Sequence, residues 1–316
     1  MLSTRACLPE IRRPALRQLL REQRLLRAIE CHNPLSAVLG ATAVAGSGSS
    51  RLEFDILWAS GFSHSTALAL PDAELSILER RLDAIADIAA VCAKPIIADG
   101  DTGGDPMAFS YLCRRLEDLG VSGIIVEDKA GAKRSSLAEG ASHQLEDPEV
   151  FVQKIAYAKQ RMLSGDFLIF ARIESLIAGA GTADALLRAE RYLASLADGI
   201  VIHSKDSTGS EVLEFAQAYR RLQNSTGVSK PLVCIPTAYN QFTGVELFKQ
   251  GARIVIHANH MIRAAYRGMQ RTAEMILEYD RSAEANDLCV PVAEIFASIG
   301  VDTGSPAGAT QSRKNT

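Results

Sequence analysis

Short apolar runs recur along this chain, and five of them break off into charged or reactive side chains. Pro95–Ala98 runs into Asp99-Gly100-Asp101, and Ile124–Val126 runs into Glu127-Asp128-Lys129. Phe167–Phe170 passes through Ala171 to Arg172 and Glu174. Ile200–Ile202 ends in His203-Ser204-Lys205, and Ile254–Ile256 passes through His257 and Ala258 into Asn259-His260. A short β-rich run that is apolar throughout predicts a strand buried on both faces, the pattern of a parallel sheet.

The segments between these runs alternate in character. An arginine-rich amphipathic helix is expected over residues 10–28, overlapping a first strand near Leu25–Glu30. Residues 46–50 are a flexible Gly/Ser loop by composition, and Phe54–Trp58 is the second strand. A helix over Asp72–Val91 leads to strand Pro95–Asp99, and a helix over Pro106–Leu119 to strand Gly123–Glu127. The polar segment Lys129–His143 precedes a helix at Pro148–Leu163 and strand Phe167–Ile173. Then follow helix Ala183–Leu196, strand Gly199–His203, helix Ser210–Leu222 and strand Pro231–Pro236. A short helix at Thr243–Gln250, strand Arg253–His257 and a long helix to Tyr279 complete the series. Eight alternations of strand and helix predict an α/β fold, a (β/α)8 barrel of TIM type. A doubly wound open sheet competes, but it rarely needs eight units with reactive residues on nearly every one. The expected organisation is an N-terminal helical extension over 1–24, a catalytic barrel over 25–303 and a small, polar, disordered tail over 304–316.

Composition narrows the function classes. A net charge of −3 over 316 residues gives no whole-protein argument for nucleic acid or membrane binding. The six cysteines are scattered without a CxxC pair, which argues against zinc and disulfide frameworks and fits a reducing compartment. The charged N-terminus shows no apolar signal region, and no apolar stretch is long enough to span a bilayer. A soluble, cytoplasmic protein is expected.

Candidate chemistry sits at the carboxyl ends of the strands, where a barrel carries its active site. Asp99 and Asp101 share a side of an extended segment, and Glu127 comes from the neighbouring strand. Clustered carboxylates repel one another unless a hard cation neutralises them, and Mg2+ suits such a site. Lys129 and Lys133 lie in a segment of small residues reaching Ser136, which fits either a mobile lid or an ordinary solvated loop. Arg172 follows a buried run and must find an anion, either Glu174, Glu127 or a substrate. His203 is either a satisfied core group or a catalyst. In Ser60-Gly61-Phe62, glycine lets backbone N–H groups approach a carboxylate. His257 and His260 read as rim supports, and Gly179-Ala180-Gly181 does not match a dinucleotide fingerprint.

Together and in order, these segments resemble the phosphoenolpyruvate (PEP) mutase and phosphonopyruvate hydrolase branch of the isocitrate lyase superfamily. The likeness runs from about Leu25 to Ala297. It rests on His32–Ala37, Trp58–Phe62, Pro71-Asp72, Asp99–Gly103, Glu127–Lys129 with Lys133 and Ser136, and Ala171–Glu174 with Ile177–Gly179. His203–Lys205, Pro236–Tyr239 and Asn259-His260 with Arg263-Ala264 complete it. The resemblance implies a Mg2+-dependent barrel whose last helix is exchanged between subunits of a homo-oligomer, a dimer or tetramer. It implies Asp99, Asp101 and Glu127 as holders of Mg2+ and its waters. The implied catalytic set is Asp72, Lys129, Ser135, Arg172 and His203. Trp58, Ser60, Gly61, Phe62, Lys133 and Ser136 are the implied substrate contacts, and 129–136 is the implied gate. The substrate class is a small anionic 2-oxo acid.

Departures from the family pattern steer the choice of reaction. Mutases carry asparagine where this chain has Ser135, and the hydrolase carries threonine there. The family aromatic after Asp101-Thr102-Gly103 is Gly104, followed by Asp105; the proline before Lys133 is Ala132; Ala180 replaces a larger residue. The lyase branch carries a Lys-Cys-Gly-His motif, and no cysteine here lies in one. The expectation is hydrolysis of phosphonopyruvate to pyruvate and phosphate. The alternatives are a mutase interconverting PEP and phosphonopyruvate, a C–C lyase or hydrolase acting on a substituted malate or oxaloacetate, and a non-catalytic metabolite-binding relative.

Overall fold

The computed structural model describes residues 6–131, 135–136 and 143–300. The chain divides into two compact units, one running to Ala264 and one from Ala265 onward. The first opens with α1 (Pro9–Arg21), β1 (Leu26–Cys31) and α2 (Pro34–Thr42). A short antiparallel pair follows, β2 (Val44–Ala45) with β3 (Leu52–Glu53). Next come β4 (Ile56–Ala59), α3 (Gly61–Ala67), α4 (Leu78–Ala89), β5 (Ile96–Asp99), α5 (Pro106–Asp118) and β6 (Gly123–Glu127). The series continues with α6 (Pro148–Lys159), β7 (Leu168–Ile173), α7 (Gly181–Leu193), β8 (Gly199–Ile202) and α8 (Ser210–Thr226). It ends with β9 (Leu232–Cys234), α9 (Gly244–Lys249), β10 (Ala252–His257) and the start of α10 (His260–Tyr279).

Eight of these strands close into a barrel in the order β1-β10-β9-β8-β7-β6-β5-β4. Every pair is parallel. Local chemistry starts the helices where the strands stop. Asn33 and Ser36 form a reciprocal cap on α2, and Thr243 with Glu246 does the same for α9. Asp105 and Asp147 cap α5 and α6, each followed by a proline whose missing N–H costs nothing in the first turn.

Strand alternation sorts side chains into two cores. Leu26, Ala28, Ile56, Trp58, Ile97, Ile125, Leu168, Phe170, Val201, Val233, Ile254 and Ile256 pack together inside the barrel. The residues between them, such as Leu57, Ile96, Ala98, Ile124, Val126, Ile169 and Ile200, join the larger core that includes Phe109, Phe151 and Phe215 from the surrounding helices. α1 contributes Leu16 to the inner core. Its buried Arg12 donates to the carbonyls of Ala89, Cys92, Cys7 and Leu119.

Expected helix boundaries change, and the helix expected over 10–28 ends at Arg21. The helix expected from Asp72 begins only at Leu78, and the intervening residues form turns with Glu74 at φ +53°. The 46–50 loop is a short connection inside the β2–β3 pair. The 304–316 tail lies outside the described residues.

The second unit holds the rest of α10, a short 3-10 turn at Glu284–Leu288 and α11 (Val292–Ile299). It exposes Tyr266, Met269, Leu277, Val292 and Phe296. No helix among the described residues is long and apolar enough to cross a membrane.

Candidate active site

One step of strand alternation beyond the inner apolar core produces the site. Trp58 is followed two residues on by Ser60, Ile97 by Asp99, Ile125 by Glu127 and Phe170 by Arg172. Likewise Val201 leads to His203, Val233 to Ile235 and Ile256 to Ala258. All seven of these residues line one pocket at the carboxyl ends of the strands, together with Trp58, Phe62, Asp72, Ser135, Ser136, Thr237 and Asn259. The pocket is therefore the next layer of the barrel interior, with polar side chains at five of its seven positions and Ile235 and Ala258 at the others. Its open space is about 60 Å3, room for a few water-sized groups.

On one wall, Glu127, Lys129, Arg172 and Glu174 set two buried carboxylates against two buried cations. Lys129 Nζ lies 3.3 Å from Glu127 and 3.1 Å from Glu174 Oε2. Arg172 Nε donates to Glu174 Oε1 at 2.5 Å, and its Nη1 lies 3.7 Å from Glu127 Oε2. Ser136 joins them: its hydroxyl accepts from Lys129 Nζ at 2.6 Å and from Arg172 Nη2 at 2.9 Å, and donates to Glu174 Oε2 at 2.7 Å. Burial opposes both charged forms, but the neighbours win: Arg172 is raised by Glu174 and Glu127, and Glu174 is lowered by Arg172 and Lys129. For His203 burial wins. Reinforced by the Arg172 charge, and only partly offset by Glu174, it pushes the imidazole down to about 4, so His203 is neutral at ordinary pH.

On another wall, Asp99 Oδ2 accepts the Gly61 N–H at 3.0 Å. A Cβ on Gly61 would stand 2.9 Å from Asp101 Oδ1 and 3.0 Å from Asp99 Oδ2, so glycine here leaves room for two carboxylates. Asp101 itself bonds to Arg81 Nη1, and Arg81 Nη2 donates to the Asp99 carbonyl at 2.5 Å. Burial works against the Arg81 charge, and Asp101 and Asp99 raise its pKa in spite of it.

Most of the expected residues meet in this pocket. Among the described residues, no three His, Cys, Asp or Glu side chains form a direct ligand cluster. The Gly61 N–H serves Asp99 in this structure. Lys129 contributes from behind the pocket wall through Ser136 and the two glutamates. Lys133 lies outside the described residues. Glu127's neighbour Asp128 faces the helical layer, accepting from the Tyr192 hydroxyl at 2.7 Å and from Arg188 at 3.1 Å.

Sequence reasoning missed Ile235, Thr237 and Ala258 as lining, and Arg81 and Glu74 as partners of the Asp99–Thr102 turn. The alternation from Val233 and Ile256 points to Ile235 and Ala258. Nothing local marks Arg81 among the charged positions of α4.

A parallel eight-stranded barrel with a polar pocket at the carboxyl ends of its strands has the architecture of a TIM-barrel enzyme. Residues 16–277 match the phosphoenolpyruvate phosphomutase family. The chain belongs to that family, and its relatives below are enzymes. It is 38% identical over 255 residues to phosphonopyruvate hydrolase of Variovorax sp. (strain Pal2), covering 79% of this chain and 82% of that one. It is 32% identical over 288 residues to the phosphoenolpyruvate phosphomutase of Tetrahymena pyriformis, covering 91% of each. Among solved structures, phosphonopyruvate hydrolase in complex with oxalate and Mg2+ superposes with a TM-score of 0.80 at 34% identity, covering 92% of this chain and 95% of that one.

Proposed function

We propose that this chain is a Mg2+-dependent enzyme that hydrolyses the carbon–phosphorus bond of phosphonopyruvate, or a close analogue, to pyruvate and phosphate. The observation that carries this reading is the meeting of Ser135, Ser136, Arg172, His203 and Asp99 in one small pocket. Relatives at 38% and 34% identity that are phosphonopyruvate hydrolases support it.

Mg2+ fits the site in its water-retaining form. The Asp99 and Asp101 carboxylates crowd around the open Cβ position of Gly61, and Mg2+ needs only one or two direct carboxylates. Asp99, Asp101 and Glu127 are the residues that would hold it, in part through its waters. When bound, it supplies Lewis-acid stabilisation of charge on the 2-oxo group.

The chain's own residues do the rest. Arg172 presents a planar cation to the dianionic phosphoryl group. Neutral His203 and the Ser135 hydroxyl add hydrogen bonds without adding charge, and Ser136, whose hydroxyl is taken up by Lys129, Arg172 and Glu174, holds the cations in place. Water oxygen bonds to phosphorus as the C–P bond breaks, and the C–P electron pair becomes the pyruvate enolate. The proton shed by water returns to C3, with Asp72 as the acid–base group in the pocket. Lys129, tied to Ser136, belongs to the 129–136 segment that gates the site, and Lys133 is carried by the same segment.

A homo-oligomer, dimer or tetramer, with its last helix exchanged between subunits is part of the same proposal. The apolar side chains that α10 and α11 expose support it. Six free cysteines support a cytoplasmic location.

The test is 31P NMR of phosphonopyruvate incubated with the enzyme and Mg2+. Phosphate as the product supports the reading. PEP as the main product replaces it with the mutase reading, which the Tetrahymena relative favours by its longer coverage. Untouched phosphonopyruvate overturns both.

A further inference from the structure

The turn that carries Asp99 and Asp101 is held by a cation already present in the chain. Arg81 reaches it from the first turns of α4, with Nη1 on Asp101 Oδ2 and Nη2 on the Asp99 carbonyl. The pair is enclosed: the Arg81 side chain is 15% exposed and that of Asp101 3%. Glu74, just ahead of the same helix, takes both the N–H and the hydroxyl of Thr102 at 3.0 Å. Between these two ties Asp101 sits at φ +50°, a left-handed conformation that a non-glycine residue keeps only when its surroundings enforce it.

The charges divide accordingly. Asp99 lines the pocket, and Asp101 gives one oxygen to a guanidinium. We propose that Arg81 is a positioning residue and a built-in competitor of the divalent cation: it keeps the Asp99–Asp101 turn assembled before metal arrives, and it weakens Mg2+ binding by occupying Asp101. This rests on the reading that the pocket takes Mg2+. A fixed guanidinium on one of two neighbouring carboxylates does two things to an incoming cation. It removes an acceptor that the cation or its waters would use, and it places a like charge close to the site.

The sign of the effect separates this role from simple support. A residue that only props up the turn would, on removal, loosen the carboxylates and weaken Mg2+ binding. A competitor, on removal, strengthens it.

The experiment is a Mg2+ titration of the full-length protein without substrate, read by calorimetry and by the fluorescence of Trp58. This is the chain's single tryptophan, and it lines the pocket. Arg81→Met keeps the stem and removes the charge, and its Mg2+ dissociation constant is expected to fall about tenfold, the scale of one charge-assisted hydrogen bond released. Melting curves are expected to show a larger Mg2+-induced rise for Arg81→Met than for wild type. If Arg81→Met does not fold, Arg81→Lys decides, since an ammonium cannot span Asp101 and the Asp99 carbonyl together. It is expected to bind Mg2+ more tightly than wild type, by less than Arg81→Met. Unchanged or weaker Mg2+ binding by the folded variant overturns the role of Arg81 and leaves the metal reading intact. No Mg2+ binding by wild type or variants overturns the metal reading, and this inference with it.

Discussion

The Arg172 guanidinium donates to the Ser136 hydroxyl at 2.9 Å, joining a barrel strand to the segment that follows β6. The same oxygen serves Lys129 and binds Glu174, so one hydroxyl holds three buried charged groups in register. Ser136→Ala removes the hydroxyl that both cations share and leaves them only the Glu127 and Glu174 carboxylates in common. A loss of about 1.5–3 kcal/mol in transition-state stabilisation is expected, read as a fall in kcat/KM of about tenfold to a hundredfold. Wild-type kcat/KM in a folded Ser136→Ala would show that the hydroxyl is dispensable.

Arg172→Lys tests the planar fork. Lysine keeps the charge and loses the simultaneous contacts to Glu174 and Ser136. A drop of about 1.5–3 kcal/mol in kcat/KM is expected from the lost charge-assisted bonds. An unchanged value would make Arg172 a structural partner of Glu174 and Ser136 with no role toward the substrate.

Metal removal separates the carboxylates. Exhaustive EDTA treatment is expected to abolish turnover, and added Mg2+ to restore it. Asp99→Ala is expected to abolish turnover with the fold retained by circular dichroism, because Asp99 is an acid that faces the pocket. Full activity after EDTA would sink the metal reading.

Ser135 tests the reaction choice. With a hydroxyl at this position, phosphate is expected to dominate over PEP in the 31P spectrum. Ser135→Asn is expected to slow hydrolysis and to let some rearrangement to PEP appear. Hydrolysis at the wild-type rate in Ser135→Asn would remove Ser135 from the reaction.

Two buried groups oppose each other in acid. His203 is held neutral, with a folded pKa of about 4 against an ordinary 6.5. The unfolded chain therefore takes up that proton first, and stability falls as pH drops from 6.5 to 4. Asp128 is raised by burial from 3.8 to about 6, so the folded chain takes up its proton first and stability rises as pH drops from 6 to 3.8. The windows overlap and partly cancel. Asp128→Asn removes the second contribution, and its melting temperature is expected to fall more steeply than that of wild type between pH 6.5 and 4. Parallel slopes for the two proteins would contradict the assignment.

Most of the barrel was legible because a doubly buried strand leaves an uninterrupted apolar run. The run ends where the interior turns polar, which is why Asp99, Glu127, Arg172 and His203 stood out. Ile235 and Ala258 did not, since an apolar pocket residue continues the run it follows. Asp and Glu favour helix starts, so the sequence predicts Asp72 inside a helix, yet the chain turns until Leu78 and delivers Asp72 to the pocket. Arg81 was invisible for a different reason. Its partner is 20 residues away on another element, and α4 carries other charges that look the same in sequence. The two outward halves of Glu127-Asp128-Lys129 and Arg172-Ile173-Glu174 needed the strand register before Asp128 could be assigned to Tyr192 and Arg188.

The N-terminal helix has a consequence for how this protein can be trimmed. Leu16 closes the inner core from below, and Arg12 fastens that stopper to four carbonyls contributed by different parts of the chain. A shortened chain beginning at the first strand would take Leu16 out of the inner core and leave the carbonyls of Ala89, Cys92 and Leu119 without their donor. The segment ahead of the barrel is thus the floor of the enzyme, and fusion tags or truncations reaching past Pro9 act on the same column of side chains that ends, one layer at a time, in the reaction pocket.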